Sequence, residues 1–284
     1  MLTDGQISIT RPGGTPLVLH HGTVYRVNEF EPFERDTNAS QGGDIAWGDG
    51  EWSGAEWRAA TAVPMKLGIH TGSWQELMAA WWALDAALAP VRTGSEVEIR
   101  WNAAGTEYLM YARPRKARLR NQRARTGKAW VEAELFCPDP AIYSGTEYTA
   151  TIGLLKRSGG FTTPFTMGGL TFYSIVADGE ADITNLGTTP ARLLLRIDGP
   201  VTRPRITVID AAGGRTLHFD TVLGVGEWLD IDTQRKLVTL NGTTSRLRDA
   251  YGDWPLLTGS GLIRFEADDY NTEARLTVRH RDTY

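Results

Sequence analysis

Phe136-Cys137-Pro138-Asp139-Pro140-Ala141-Ile142-Tyr143-Ser144 divides the chain. Two prolines in three residues lock φ and remove two backbone donors, so neither a helix nor a central strand runs through it. Before it lies a tryptophan-rich half with one strong helical pattern. After it the sequence reads as strands and turns to the C-terminus. Residues 1–144 are therefore expected to form one domain and 145–284 a second, with Pro138, Asp139, Pro140 and Tyr143 at the hinge. The expected fold is mainly β, with one helix in the first domain (an α+β unit) and an all-β sandwich in the second.

Working upstream, Ser73–Ala89 is the clearest helix. Ser73 and Glu76 make a capping box, in which the Ser oxygen accepts a helix-start N–H and the Glu reaches back. Trp74, Leu77, Met78, Trp81, Leu84 and Leu88 recur at helical spacing as one apolar stripe, and Pro90 stops the element. That pattern points to a helix laid on a sheet. Short strands are expected at Gln6–Thr10, Leu17–His20 and Thr23–Val27, split by the turn Arg11-Pro12-Gly13-Gly14. Residues 36–60 read as a long excursion or hairpin turning at Asp49-Gly50, where Gly accepts φ > 0. Trp47, Trp52 and Trp57 on it want burial, either against a neighbouring subunit or back on their own domain.

Further strands are expected at Ala62–His70, Glu96–Trp101, Glu107–Tyr111 and Ala129–Phe136. Arg113 to Lys128 holds eight basic residues and no acid: Arg113, Arg115, Lys116, Arg118, Arg120, Arg123, Arg125 and Lys128. The strip belongs on a hairpin. It suits a polyanion such as DNA in a channel, a solvated loop, or acidic residues of a partner. The strip has no aromatic interleaved along it to stack bases.

Downstream of the hinge, Thr149–Leu155 leads into a Gly-rich loop, Ser158–Gly169. Short strands follow at sandwich spacing: Leu170–Ile175, Ala181–Asn185, Ala191–Asp198, Arg205–Ile209, Thr216–Phe219, Glu227–Asp232, Lys236–Leu240, Gly261–Glu266 and Glu273–Val278. Turns fall at Asn185-Leu186-Gly187, Gly199-Pro200, Gly213-Gly214 and Asn241-Gly242. Arg192–Ile197 carries apolar residues at both parities, as a strand buried on both faces does. Arg275–Arg279 alternates, as an edge strand does.

At 284 residues the chain is long enough for two ordinary domains with buried cores. A net charge of −4 gives no global field toward nucleic acid or membrane. Arg outnumbers Lys 25 to 5, read as coding bias. The single Cys137 excludes an internal disulfide and a Cys-based zinc site, and reads as a small buried filler. Met1-Leu2-Thr3-Asp4-Gly5 lacks a signal pattern, and no apolar run approaches the ~20 residues of a membrane span. A cytoplasmic product, or one released by lysis, is expected.

Catalytic templates are absent: there is no Walker loop, GxGxxG after a strand, GxSxG elbow or HExxH. His20 and His21 are expected on opposite faces of a strand, unable to share a metal. His70, His218 and His280 are isolated. Asp230 with Asp232, and Asp268 with Asp269, are the carboxylate pairs to weigh for calcium or glycoside hydrolysis against a solvated rim. Trp228 and Trp254 are candidates for a sugar platform, against packing at the core or rim. No catalytic, cofactor or metal residue is assigned.

The order of these features, from N-terminal strands through excursion, capped helix, basic hairpin and closure at Asp139-Pro140-Ala141-Ile142-Tyr143-Ser144 to an all-β half, resembles the distal tail protein family of siphophages and related baseplate hub proteins. In the second half Ala181–Ala191, Gly226-Glu227-Trp228-Leu229-Asp230-Ile231-Asp232, Leu240-Asn241-Gly242 and Trp254-Pro255-Leu256-Leu257 are similar to that family. Thr258-Gly259-Ser260-Gly261 departs from its Pro-Gly-x-Asn turn. The resemblance implies a non-enzymatic virion protein without cofactor, made in the host cytoplasm and carried at the tail tip. Its first domain would form a hexameric ring between the tail tube protein and the hub, fibre or receptor-binding proteins. Genomic DNA would pass through the lumen without specific binding. A galectin-like sandwich would sit outside the ring. Trp47, Asp49, Gly50, Trp52 and Trp57 would be the inter-subunit arm, and the basic strip would face the lumen or a partner. The alternative is a carbohydrate-binding module that attaches to host cell-wall sugars through Trp228 and Trp254.

Overall fold

The computed structural model describes residues 2–40, 42–92, 94–120, 124–156 and 179–284. The Gly-rich loop Ser158–Gly169, the strand expected at Leu170–Ile175 and Arg123 of the basic strip lie outside them. The chain divides into two compact units, Met1–Gly145 and Thr146–Tyr284.

The first unit is built from β1 (Ile7–Thr10), β2 (Leu17–Leu19), β3 (Tyr25–Phe30), β4 (Thr37–Ser40), β5 (Gly43–Asp44), β6 (Glu51–Trp52), β7 (Ala55–Arg58), β8 (Thr61–His70), α1 (Trp74–Ala87), β9 (Val97–Ala103), β10 (Thr106–Arg120), β11 (Lys128–Cys137) and β12 (Tyr143–Ser144). Its main sheet runs β2-β1-β9-β10-β11-β8-β3, with β12 added to β10. The 15-residue β10 joins the two halves of this sheet: Thr106–Ala112 pair with β9, and Arg113–Arg120 pair with β11. At the ends of the strand order, a turn carries β2 into β3, with His20 N donating to Tyr25 O at 3.1 Å. His20 and His21 sit in this turn and not on a strand, because β2 stops at Leu19. Their rings lie 6.3 Å apart.

Strict alternation buries one face of β8 and β11. Val63, Met65, Leu67, Ile69, Val131 and Leu135 point inward and are 0–1% exposed. Each such side chain contributes roughly 1.5–3 kcal/mol of burial. The helix packs on this unit through Leu77, Leu84 and Leu88. Ser73 caps it, its Oγ accepting from Glu76 N at 3.2 Å, and Glu76 Oε2 accepts from Gly72 N at 2.9 Å. The buried stripe is narrower than its apolar spacing suggests: Trp74 remains exposed, and Met78 and Trp81 are only half-buried. So many apolar residues surround the helix that periodicity alone overestimates the covered arc.

The closing stretch is tied down on the first unit. Asp139 accepts from the Tyr143 hydroxyl at 2.6 Å and from Ala141 N at 3.1 Å. Tyr143 is buried with Leu109 and Ala141, its ring edge-on to Tyr111. Tyr143 and Ser144 pair with Leu109 and Tyr108, and Gly145 N donates to Glu107 O at 2.7 Å.

The second unit is a β-sandwich of two antiparallel sheets. The first contains β13 (Tyr148–Ile152), β15 (Leu194–Asp198), β20 (Trp228–Asp232), β21 (Leu237–Leu240), β22 (Thr244–Ser245) and β25 (Arg275–His280), in the order β13-β25-β15-β20-β21-β22. The second contains β14 (Glu180–Thr184), β17 (Arg205–Asp210), β18 (Gly213–Phe219), β23 (Ala250–Gly252) and β24 (Ser260–Glu266), in the order β14-β24-β17-β18-β23. A short pair, β16 (Val201–Thr202) and β19 (Val222–Leu223), completes it. Inward residues of both sheets, including Leu195, Ile197, Ile206, Val208, Ile231, Phe265 and Val278, form one core.

Two expectations are overturned here. Arg192–Ile197 is buried on one face only: Leu193, Leu195 and Ile197 point inward while Arg192, Leu194 and Arg196 lie on the outer side. Arg275–Arg279 is not an edge strand, since β25 lies between β13 and β15. In an antiparallel sandwich even central strands have a wet face, so alternation reports layer and not position in the sheet. Asn241 (φ 53) and Gly242 (φ 69) make the turn after β21, and such positive φ pairs favour these two residues.

Candidate functional site: the arm and the basic sheet face

Residues 36–58 leave the body of the first unit as an arm. β4 pairs with β7 and β5 with β6, so two ribbons follow one another to the turn at Ile45–Gly50. Ile45 N donates to Gly50 O at 3.1 Å, Trp47 sits at φ 64 and Gly50 at φ 102. Asp49 is in this turn. Trp47 is fully exposed, and Trp52 and Trp57 are 52% and 59% exposed. Trp47 is free of its own unit, while Trp52 and Trp57 leave about half of their surface exposed. The arm's charges are Asp36, Asp44, Asp49, Glu51, Glu56 and Arg58, an acidic set.

The basic strip lies on the β10–β11 hairpin. Read at strict period two, Arg113 and Arg115 would face away from Lys116, Arg118 and Arg120. A bulge between Pro114 and Lys116 changes the parity. Arg113 pairs with Phe136 and Lys116 with Glu134, residues of the same face of β11. Arg115 stacks over Phe136, its Cζ 4.9 Å from the ring centroid. All five cations therefore share the open face of the sheet, opposite the apolar core.

Neighbouring strands extend this face. Lys128, Trp130, Glu132 and Glu134 come from β11, Lys66 and His70 from β8, and Arg26 and Glu29 from β3. Trp130 stands opposite Arg120 and is 53% exposed, with His70 edge-on at 6.4 Å. Register thus supplies an aromatic that the linear strip lacks. A Cβ at Gly68 would press on the neighbouring His70 ring, 3.0 Å from its Nε2, and only touch the Trp130 ring at an ordinary 3.5 Å. Eight cations on this face meet Glu29, Glu132 and Glu134, with Glu96 reached by Arg113 at 3.9 Å. Ion pairs join Lys66 to Glu29 at 2.6 Å and Arg120 to Glu132 at 3.1 Å. The Arg120 hydrogen bond holds the Glu132 carboxyl below its usual range, helped by Arg120, Lys116 and Arg118 charges. Desolvation, then the Arg26 and Lys128 charges, pushes His70 below its usual value. The exposed Arg125 sits in the short turn at the hairpin end.

A separate apolar cleft of about 670 Å³ opens between the starts of β1 and the end of β3, lined by Ile7, Val27, Phe30, Phe33 and Trp101. Phe30 and Phe33 meet the Trp101 ring edge-on at 5.6 and 5.9 Å.

The second-unit candidates are spread apart. Trp228 lies on the outer face of the larger sheet. Arg196 covers one side of its ring at 4.5 Å, and its Nε1 donates to Asp230 at 3.0 Å. Trp254 packs against the sandwich core. Asp232 accepts from Gln234 N and Arg235 N within a turn, and Asp268 pairs with Arg203 and Arg205. Asp269 is exposed. His218 stacks on Tyr251 at 5.0 Å, and the buried His280 bonds Thr184 O at 2.9 Å. Among the described residues there is no cluster of three His, Cys, Asp or Glu that could hold a metal. Cys137 is buried; desolvation, then the charges of Asp139 and Glu96, pushes its thiol up to about 12.

Among the described residues the architecture is one α-helix on a mainly β first unit, followed in sequence by an all-β sandwich. No family model and no curated protein matches the chain. Among solved structures it is similar to the Dit protein (gp 19.1) of phage SPP1, described as a paradigm of the hub adsorption apparatus in phages infecting Gram-positive hosts. The identity is 13%, the TM-score 0.59, and the match covers 98% of this chain and 99% of that one. It is also similar to a chain of the phage p2 baseplate in its activated conformation with Sr, at 13% identity and TM-score 0.51, covering 96% and 97%. The chain thus has the fold of phage distal tail and baseplate hub proteins over essentially its whole length.

Proposed function

We propose that this chain is a structural component of a phage tail tip, a ring-forming adaptor between the tail tube and the hub or receptor-binding proteins. The carrying observation is the fold shared with Dit over 98% of the chain. Closed rings need heterologous, self-repeating contacts. The exposed tryptophan arm is suited to one, because it leaves all of Trp47 and about half of Trp52 and Trp57 open. In this reading the first unit forms a six-fold ring, the sandwich is carried outside, and genomic DNA passes through the lumen without sequence-specific contacts. The protein is made in the host cytoplasm, ends in the virion and performs no catalysis. Negative-stain imaging with light-scattering mass, at several concentrations, tests this. Closed rings of about six copies support it, and a monomer throughout counts against it. Full-length protein retained on host-wall glycans, and released by Trp228→Ala, would favour a sugar-binding role for the sandwich instead.

A further inference from the structure

We infer that the acidic arm of one copy docks on the basic open sheet face of the next copy, so that the strip is an inter-subunit surface. This docking presupposes the ring assembly proposed above and gives it a specific contact. Three observations carry it. First, the charges are complementary. Arm residues Asp44, Asp49, Glu51 and Glu56 are opposite in sign to a face on which the bulge adds Arg113 and Arg115 to Lys116, Arg118 and Arg120. Second, both surfaces pair charge with exposed indole. Trp47, Trp52 and Trp57 protrude from the arm, and Trp130 stands among the cations of the face. A duplex would neutralise those cations through its phosphates but keeps its bases stacked on one another and away from Trp130, whereas the arm brings carboxylates and aromatic surface together. Third, both surfaces are open in the single chain, so the arm does not already occupy its own face. From Asp36 to Trp47 an extended ribbon spans at most roughly 35 Å, enough to cross a neighbouring unit.

The test uses full-length protein and exposed positions only. One variant reverses the arm, Asp49→Lys with Glu51→Lys. A second reverses the face, Lys116→Glu with Arg118→Glu. A third carries all four changes. Folding is checked by circular dichroism and assembly by light-scattering mass. Each reversal alone should weaken assembly by roughly tenfold or more. The four-fold variant should regain it. An equimolar mixture of the two single reversals should also regain it, because every arm then meets a face of opposite sign.

If wild-type rings form but neither the mixture nor the four-fold variant recovers, the docking is wrong while the ring stands. Recovery by the four-fold variant without the mixture places the arm on its own face and overturns docking between copies. If reversing the face leaves assembly intact but abolishes retention of duplex DNA, the face belongs to the lumen. A wild-type monomer at all concentrations removes both the ring and the docking.

Discussion

Replacing Tyr143 by Phe deletes one hydroxyl and leaves the ring in place. That hydroxyl donates to the Asp139 carboxylate at 2.6 Å, from a side chain only 1% exposed. A hydrogen bond to a charged group is worth about 1.5–3 kcal/mol. Asp139 is half-buried and keeps its bond from Ala141 N, so water can repair part of the loss. The expected cost is about 1.5 kcal/mol, which for a unit of this size lowers its midpoint by roughly 5 °C. Tryptophan fluorescence is the assay, because eight of the ten tryptophans belong to the first unit and its transition can be followed apart from the sandwich. Tyr143→Phe, Asp139→Ala and the pair together complete a double-mutant cycle. Strict additivity, or a loss that falls on the second unit's transition, would refute the view that this bond fastens the closing stretch.

Asn185 is 4% exposed and donates to Thr189 O and Leu257 O while accepting from Gly187 N and Thr283 N, so Asn185→Ala should cost several kcal/mol, roughly 2–6, in thermal unfolding of the second unit. Gly187→Ala places a Cβ 2.0 Å from Thr283 O, a backbone clash expected to destabilise by about 1–3 kcal/mol or more, read by calorimetry. Leu84→Ala in the helix should cost about 2–5 kcal/mol, whereas Trp82→Ala on its 60% exposed side should change monomer stability little in denaturant titration. The folded Cys137 thiol sits above its ordinary value of 9.0, at about 12, so its contribution is fully present below pH 9 and is lost as pH rises toward 12. Cys137→Ala should flatten the pH dependence of stability in that window, and an unchanged slope would show that the buried thiol does not contribute.

Much of the fold was legible because local chemistry and tertiary structure agree. The Ser73–Glu76 cap starts α1, Pro90 follows its end, and the turns at Asn185-Leu186-Gly187 and Asn241-Gly242 separate strands whose spacing is sandwich-like. The misreadings share a cause. For Arg192–Ile197, the Arg275–Arg279 strand and the apolar surround of α1, side-chain pattern reports exposure and not the identity of neighbouring strands. His20 and His21 were expected on a strand because one residue decides where β2 ends.

Residue type and spacing alone point to mostly β structure with the capped helix α1, a strand that ends at Pro138-Asp139-Pro140 and a hairpin turning at Asp49-Gly50, whereas the boundary between the units falls after Gly145, beyond the prolines. Those features depend on φ preferences, capping and alternation, which act over a few residues. Only the tertiary structure decided that Arg113 and Arg115 join Lys116, Arg118 and Arg120 on one face, since a single bulge reverses side-chain parity. It likewise placed Trp130 opposite Arg120, drawing together residues ten apart in sequence through strand register. Register depends on how whole strands bury their inward faces, and that balance is struck by the assembled core.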